Sequence, residues 1–176
     1  MSKTCYSLFF ATAATLAVSS ASAHVTLENR QATIGSGYKA VFAVPHGCAG
    51  SATTMIRVQI PDGVIAVKPM PKAGWNVEVI KGKYAAEYDY HGAKYSEGVK
   101  EVVWSGGKLP DDYYDEFVIS TFLTGVLKPD TVLYFPTVQE CEQGVSRWID
   151  IPRAGDSTHM HEDKWPAPGV KLMPKS

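Results

Sequence analysis

The chain has 176 residues, 45% of them hydrophobic and 20% charged, and its 17 Lys and Arg against 18 Asp and Glu give a formal charge of −1. No basic stripe is present to drive counterion release from nucleic acid, and no cationic amphipathic helix points to a membrane surface. The length suits one domain with enough chain to bury a core.

The first element in chain order is a leader. Met1 to Ala23 carries one cation, Lys3, then an apolar run from Leu8 to Val18, then Ala21-Ser22-Ala23, a small-residue pattern that suits signal peptidase. The run is shorter than the roughly 20 residues of a membrane span. Cleavage after Ala23 is therefore expected, releasing the chain to the periplasm as a protein that is not integral to the membrane. The mature chain would start at His24 with 176 − 23 = 153 residues and a formal charge of −2, since Lys3 is the one charge lost.

Short runs rich in Val, Ile, Thr and aromatics follow: Val25 to Leu27, Tyr38 to Val44, Thr53 to Ile60, Val64 to Val67, Trp75 to Ile80, Val99 to Trp104, Phe117 to Thr124, Val132 to Val138 and Trp148 to Ile151. Tyr38 to Val44 and Met55 to Ile60 alternate, as half-buried antiparallel strands do. Turn formers separate them, among them Gly35-Ser36-Gly37, Pro61-Asp62-Gly63 and Lys128-Pro129-Asp130. Roughly seven to nine short strands at this spacing indicate an all-β, immunoglobulin-like β-sandwich over residues 24–152. A helical turn is expected at Tyr113 to Glu116, and His91 before Gly92 reads as a turn residue. Residues 153–176 contain prolines and scattered charge with little apolar periodicity, which predicts an extended C-terminal tail with limited order.

Loss of Cys5 with the leader leaves Cys48 and Cys141, an even pair in a compartment where disulfides persist, so a bond between them is expected. A thiolate metal site is the competing reading, and the absence of any Cys-x-x-Cys spacing weighs against it.

His24 carries the chemistry. A first-residue histidine offers its α-amine and its Nδ1 to one metal, closing a six-membered chelate, the histidine brace. Elsewhere in a chain the same backbone nitrogen is an amide that gives up its proton only at high cost. An α-amine has a pKa of about 7.7 to 8.0, so near neutral pH a metal displaces one accessible proton. Two nitrogens in a plane suit tetragonal Cu(II).

The segments His24-Val25-Thr26-Leu27, Lys68-Pro69-Met70-Pro71-Lys72-Ala73-Gly74-Trp75, Val102-Val103-Trp104-Ser105-Gly106-Gly107, Asp115-Glu116-Phe117 and Tyr134-Phe135-Pro136-Thr137-Val138-Gln139-Glu140-Cys141 resemble the YcnI-like family of exported bacterial proteins. The resemblance implies a β-sandwich with a Cu(II) site made by the N-terminal histidine, a completing carboxylate and a nearby tryptophan. It also implies a role in copper homeostasis, with copper transporters or chaperones as partners. Trp104 is the first candidate for that tryptophan and Trp75 the second, the other reading of either being a packed core aromatic. The carboxylate is the departure. Many members place a glutamate after a Val-Pro pair, whereas here Val44-Pro45 leads into His46-Gly47-Cys48. His46 is thus the second candidate ligand, with a loop or outer-shell role as its alternatives and Glu28, Glu116 or Glu140 as substitute oxygen donors. Glu28 shares the face of His24 but lies far along the strand, at roughly 3.3 Å per residue.

The tail group His159-Met160-His161-Glu162-Asp163 can bind copper loosely or can be a polar tail with incidental histidines. The motifs of hydrolases, phosphate loops, dinucleotide sites and zinc proteases are absent, so no catalytic residues are assigned. Three functions remain open: a copper(II)-binding protein of homeostasis or delivery, a copper-dependent oxidative enzyme of monooxygenase type, and a metal-free interaction module.

Overall fold

The computed structural model describes residues 24–152 and 165–175. The expected leader, His159 and His161 lie outside the described residues. Within them the chain is all β: β1 (Thr26–Leu27), β2 (Gln31–Thr33), β3 (Ser36–Val44), β4 (Thr53–Gln59), β5 (Val64–Pro69), β6 (Asn76–Tyr90), β7 (Ala93–Leu109), β8 (Asp115–Leu123), β9 (Val132–Tyr134), β10 (Thr137–Cys141), β11 (Val145–Trp148) and β12 (Gly169–Met173). Among them no helix is long and apolar enough to cross a membrane.

The strands form a four-stranded sheet, β1-β3-β8-β5, a five-stranded sheet, β11-β10-β4-β7-β6, and a small sheet, β2-β12-β9. Period-two alternation decides which side chains meet between the layers. In β3, Tyr38, Ala40, Phe42 and Val44 are buried while Lys39 is exposed, and in β4, Ile56 and Val58 are buried while Gln59 is exposed. Phe42, Phe117, Ile119 and Leu123 from the first sheet pack with Ile56, Val58, Val102, Trp104 and Trp148 from the second in one core. Each such side chain contributes about 1.5 to 3 kcal/mol by leaving water.

Three expectations change. Trp75 to Ile80 and Val99 to Trp104 are parts of one long hairpin, β6 of 15 residues and β7 of 17. Its tip is His91-Gly92, with φ of 50° and 77°, between the paired residues Tyr90 and Ala93. Positive φ at both central positions gives a tight turn whose twist matches the strands. Tyrosines carry the extension: Tyr88 lies opposite Tyr95, its hydroxyl accepts from the Gly63 N–H at 3.0 Å, and Tyr90 packs on Phe122. At Tyr113 to Glu116 there is no helical turn, because β8 begins at Asp115 and the Tyr113 N–H closes a turn onto the Pro110 carbonyl.

The third correction concerns the tail. Residues 165–175 return to the domain, where β12 pairs in parallel with β2 and antiparallel with β9. Val170 and Leu172 enter the core and Lys171 stays exposed. The alternation was present in five residues, but the partners that make it a strand are remote in sequence. Leu172→Ala is expected to lower stability by about 3 kcal/mol, as truncation of a fully buried leucine does. Denaturant titration checks this, and a loss within the ±0.5 kcal/mol usual for a surface site would place the tail outside the core after all.

Candidate metal centre

His24 sits at the head of β1, the outer strand of the four-stranded sheet. Val25 and Leu27 are each 2% exposed, so alternation turns His24, Thr26 and Glu28 away from the core, and His24 is half-buried. β1 pairs with β3 through Thr26 opposite Ala43 and Leu27 opposite Phe42. Continuing that antiparallel register puts His24 across from Pro45, next to His46.

The ring against His24 is Trp148. Their centroids lie 5.2 Å apart with planes at 68°, an edge-to-face contact. Trp148 ends β11, the outer strand of the other sheet, so the contact closes the side of the sandwich where two sheet edges meet. It is 1% exposed, and its Nε1 donates to Gln139 Oε1 at 3.1 Å. Gln139 Nε2 donates in turn to the His46 carbonyl at 2.7 Å and to Thr53 Oγ1 at 2.8 Å. Trp165 covers Trp148 at 4.7 Å, held by backbone bonds between Asp150 and Trp165 and between Ala167 and Asp150.

Trp104 therefore does not take the place expected for the tryptophan beside His24. It is fully buried on β7, paired with Ile56 and Val77, edge-on to Phe117 at 5.4 Å, with Nε1 donating to the Met70 carbonyl at 3.5 Å. β7 is three strands in from β11, about 14 Å at the usual strand spacing. Trp75 is a packing aromatic too, 5.0 Å from Phe117 and lying over Gly107, where a Cβ would come within 2.2 Å of the indole. Sequence reasoning missed Trp148 because its position depends on β11 pairing with β10, through Thr137 opposite Trp148, and no local pattern encodes that.

His46 is in the loop from β3 to Cys48, at the same corner. Its Nδ1 is 2.5 Å from the Gly47 carbonyl; with Nδ1 donating, the ring lone pair lies on Nε2. Gly47 fits because a Cβ there would lie 1.9 Å from the Ser51 carbonyl oxygen, and its N–H donates to Asp111 Oδ1 at 2.9 Å. The expected disulfide joins Cys48 and Cys141, with Cα atoms 5.9 Å apart, and ties this loop to the end of β10.

Two of the three candidate carboxylates have partners of their own. Glu140 lies 3.7 Å from Arg57 Nη2, and Glu116 accepts from the Tyr114 hydroxyl at 2.5 Å. Glu28 is exposed on the face that its even offset from His24 predicts. Among the described residues no group of three or more His, Cys, Asp or Glu is set to hold a metal. The donor types at this corner that suit Cu(II) are the imidazoles of His24, at the head of β1, and of His46, in the loop that follows the paired strand β3.

Beside this corner, Glu116 pushes Tyr114 up to about 12 by accepting its hydrogen bond, helped by burial and by the negative charges of Glu116, Glu28 and Asp115. The fold favours the neutral phenol, so this contribution is complete below the ordinary value of 10.0 and is lost as pH rises through about 12. In absorbance titration, Tyr114→Phe is expected to remove one phenol ionising near pH 12; loss of one ionising near 10 would contradict the bond.

A family model described as "Domain of unknown function (DUF1775)" matches residues 24–172, beginning at His24 and reaching into β12. No curated protein matches the chain. A crystal structure of an uncharacterized protein from Nocardia farcinica, described as revealing an immunoglobulin-like fold, is 24% identical with a TM-score of 0.60, covering 85% of this chain and 98% of that one. That likeness establishes the immunoglobulin-like architecture. The chain belongs to the YcnI-like family, the DUF1775 family of that model.

Proposed function

We propose that this protein binds Cu(II) in the periplasm and serves copper homeostasis or delivery, with copper as its cargo and no reaction catalysed. His24 holds the ion through its α-amine and Nδ1, and His46 supplies a second imidazole. Trp148, rather than Trp104, shields one side of the site and limits water access.

The observation that carries this reading is the position of His24. The family match starts there, the leader pattern places the new N-terminus there, and its ring is set against a buried tryptophan beside the His46 loop. The Cu(II) site that the resemblance to the YcnI-like family implies is in keeping with it.

The test is a Cu(II) titration followed by electron paramagnetic resonance on protein whose intact mass shows a start at His24. Nitrogen hyperfine structure at one equivalent supports the reading. A mature chain starting at any other residue removes the brace.

A further inference from the structure

We propose that Gln139 is the positioning residue of this corner, setting the Trp148 face and the His46 loop around His24 with one buried amide; the inference rests on the copper reading above. Gln139 is fully buried, and the three hydrogen bonds of its side chain converge on the corner. Its oxygen takes the Trp148 indole N–H, one N–H holds the His46 carbonyl, and the other reaches Thr53 Oγ1. The amide has one workable orientation. Turned over, it would aim N–H at the indole N–H and oxygen at the His46 carbonyl oxygen, leaving both unmatched.

No other residue type reproduces the set. Glutamate lacks the donors for the His46 carbonyl, and leucine or methionine leaves the indole N–H and that carbonyl without a partner. The neighbourhood is doubly tied. Gln139 to His46 and Cys141 to Cys48 both span 93 positions, so the hydrogen bond and the disulfide are two rungs between the same two segments. Cys48 Sγ also lies 3.8 Å from the Gln139 carbonyl oxygen. The disulfide, the Gly47 N–H bond to Asp111 and the bonds between Cys48 and Ser51 hold the backbone of the loop. The amide adds Trp148, and through Trp148 the His24 ring on the opposite sheet. Outer partners that orient ligands in this way typically change metal affinity by about 10- to 100-fold when removed.

The test uses processed protein and two variants. In metal-free protein the ring protons of His24 are shifted in proton NMR by the Trp148 ring current, a reading that needs no copper. Gln139→Met keeps the length of the side chain without its polar ends. It is expected to move those signals toward the values of an unstructured histidine, to weaken Cu(II) binding about 10-fold, and to replace one Cu(II) resonance by several. Trp148→Phe keeps an aromatic face but has no N–H for Gln139, and is expected to give the same spread of Cu(II) resonances; it decides the matter if Gln139→Met does not fold. His24 signals and a Cu(II) spectrum unchanged in Gln139→Met, or a single unchanged Cu(II) spectrum in Trp148→Phe, would overturn the proposal. Wild-type protein that takes up no Cu(II) overturns the copper reading, and the NMR shift of metal-free Gln139→Met then decides the positioning role by itself.

Discussion

One alanine added ahead of His24 is expected to weaken Cu(II) binding by about 100-fold or more and to erase the spectrum of the processed protein, because it costs the chelate one of its two arms. The imidazole is still there in that variant. What changes is the nitrogen beside it, from an amine that gives up its proton near pH 7.7 to 8.0 to an amide that holds it far more tightly. The competition between proton and metal for the amine also sets a sign with pH. Affinity of the native N-terminus falls as pH drops below the amine pKa, while a site made only of imidazoles would hold until about pH 6.5. Isothermal titration across that range, on native and extended chains side by side, separates the two. Equal affinity in the two proteins would sink the brace and leave His46 and other side chains as the binding groups.

Loss of the disulfide is the other large effect. Cys48 and Cys141 close a loop of 93 positions, and in the chain-entropy model a loop of that length restricts the unfolded chain by about 4 to 5 kcal/mol. The Cys48→Ser, Cys141→Ser double variant is expected to lose most of that, a lowering of the melting temperature by roughly 10 to 18 °C for a domain of this size. Calorimetry and denaturant titration, with the wild-type protein under reducing conditions as a control, measure it. A loss below about 1 kcal/mol would mean that the backbone bonds between Cys48 and Ser51 and the Gln139 amide already hold the loop in place. Copper affinity measured on the same double variant reports how far the loop matters to the site.

Local pattern carried much of the fold. The alternation in Tyr38 to Val44 and Met55 to Ile60 is that of β3 and β4, and it assigns the inward residues correctly because side chains on a strand have a strict period of two. The turn at His91-Gly92 was legible for a similar reason, since a glycine beside a residue that tolerates positive φ marks a tight hairpin. The length of β6 and β7 was not, because charged and tyrosine-rich stretches such as Lys81 to Tyr90 become strands only when each finds its opposite number. Pro136 divides the predicted Val132 to Val138 run into β9 and β10, as a residue without an N–H does in a ladder.

The site divides in the same way. The pair Cys48 and Cys141 could be named from the chain alone, because an even cysteine count is a property of the sequence. Trp104 could not be told from Trp148, since both are tryptophans in β-type runs and only the order of strands says which one reaches the sandwich edge. Gln139 looked like one polar residue among several in Thr137 to Cys141 until pairing drew His46, Thr53 and Trp148 around it. β12 shows the limit most plainly: five residues with a modest alternation acquire a role only from β2, about 140 positions away, and from β9. Short-range chemistry, the turns and the periodicity act within a few residues and can be read directly. Which edges meet, and which of several identical side chains faces the corner, follows from long-range pairing whose free energy is shared across the whole core.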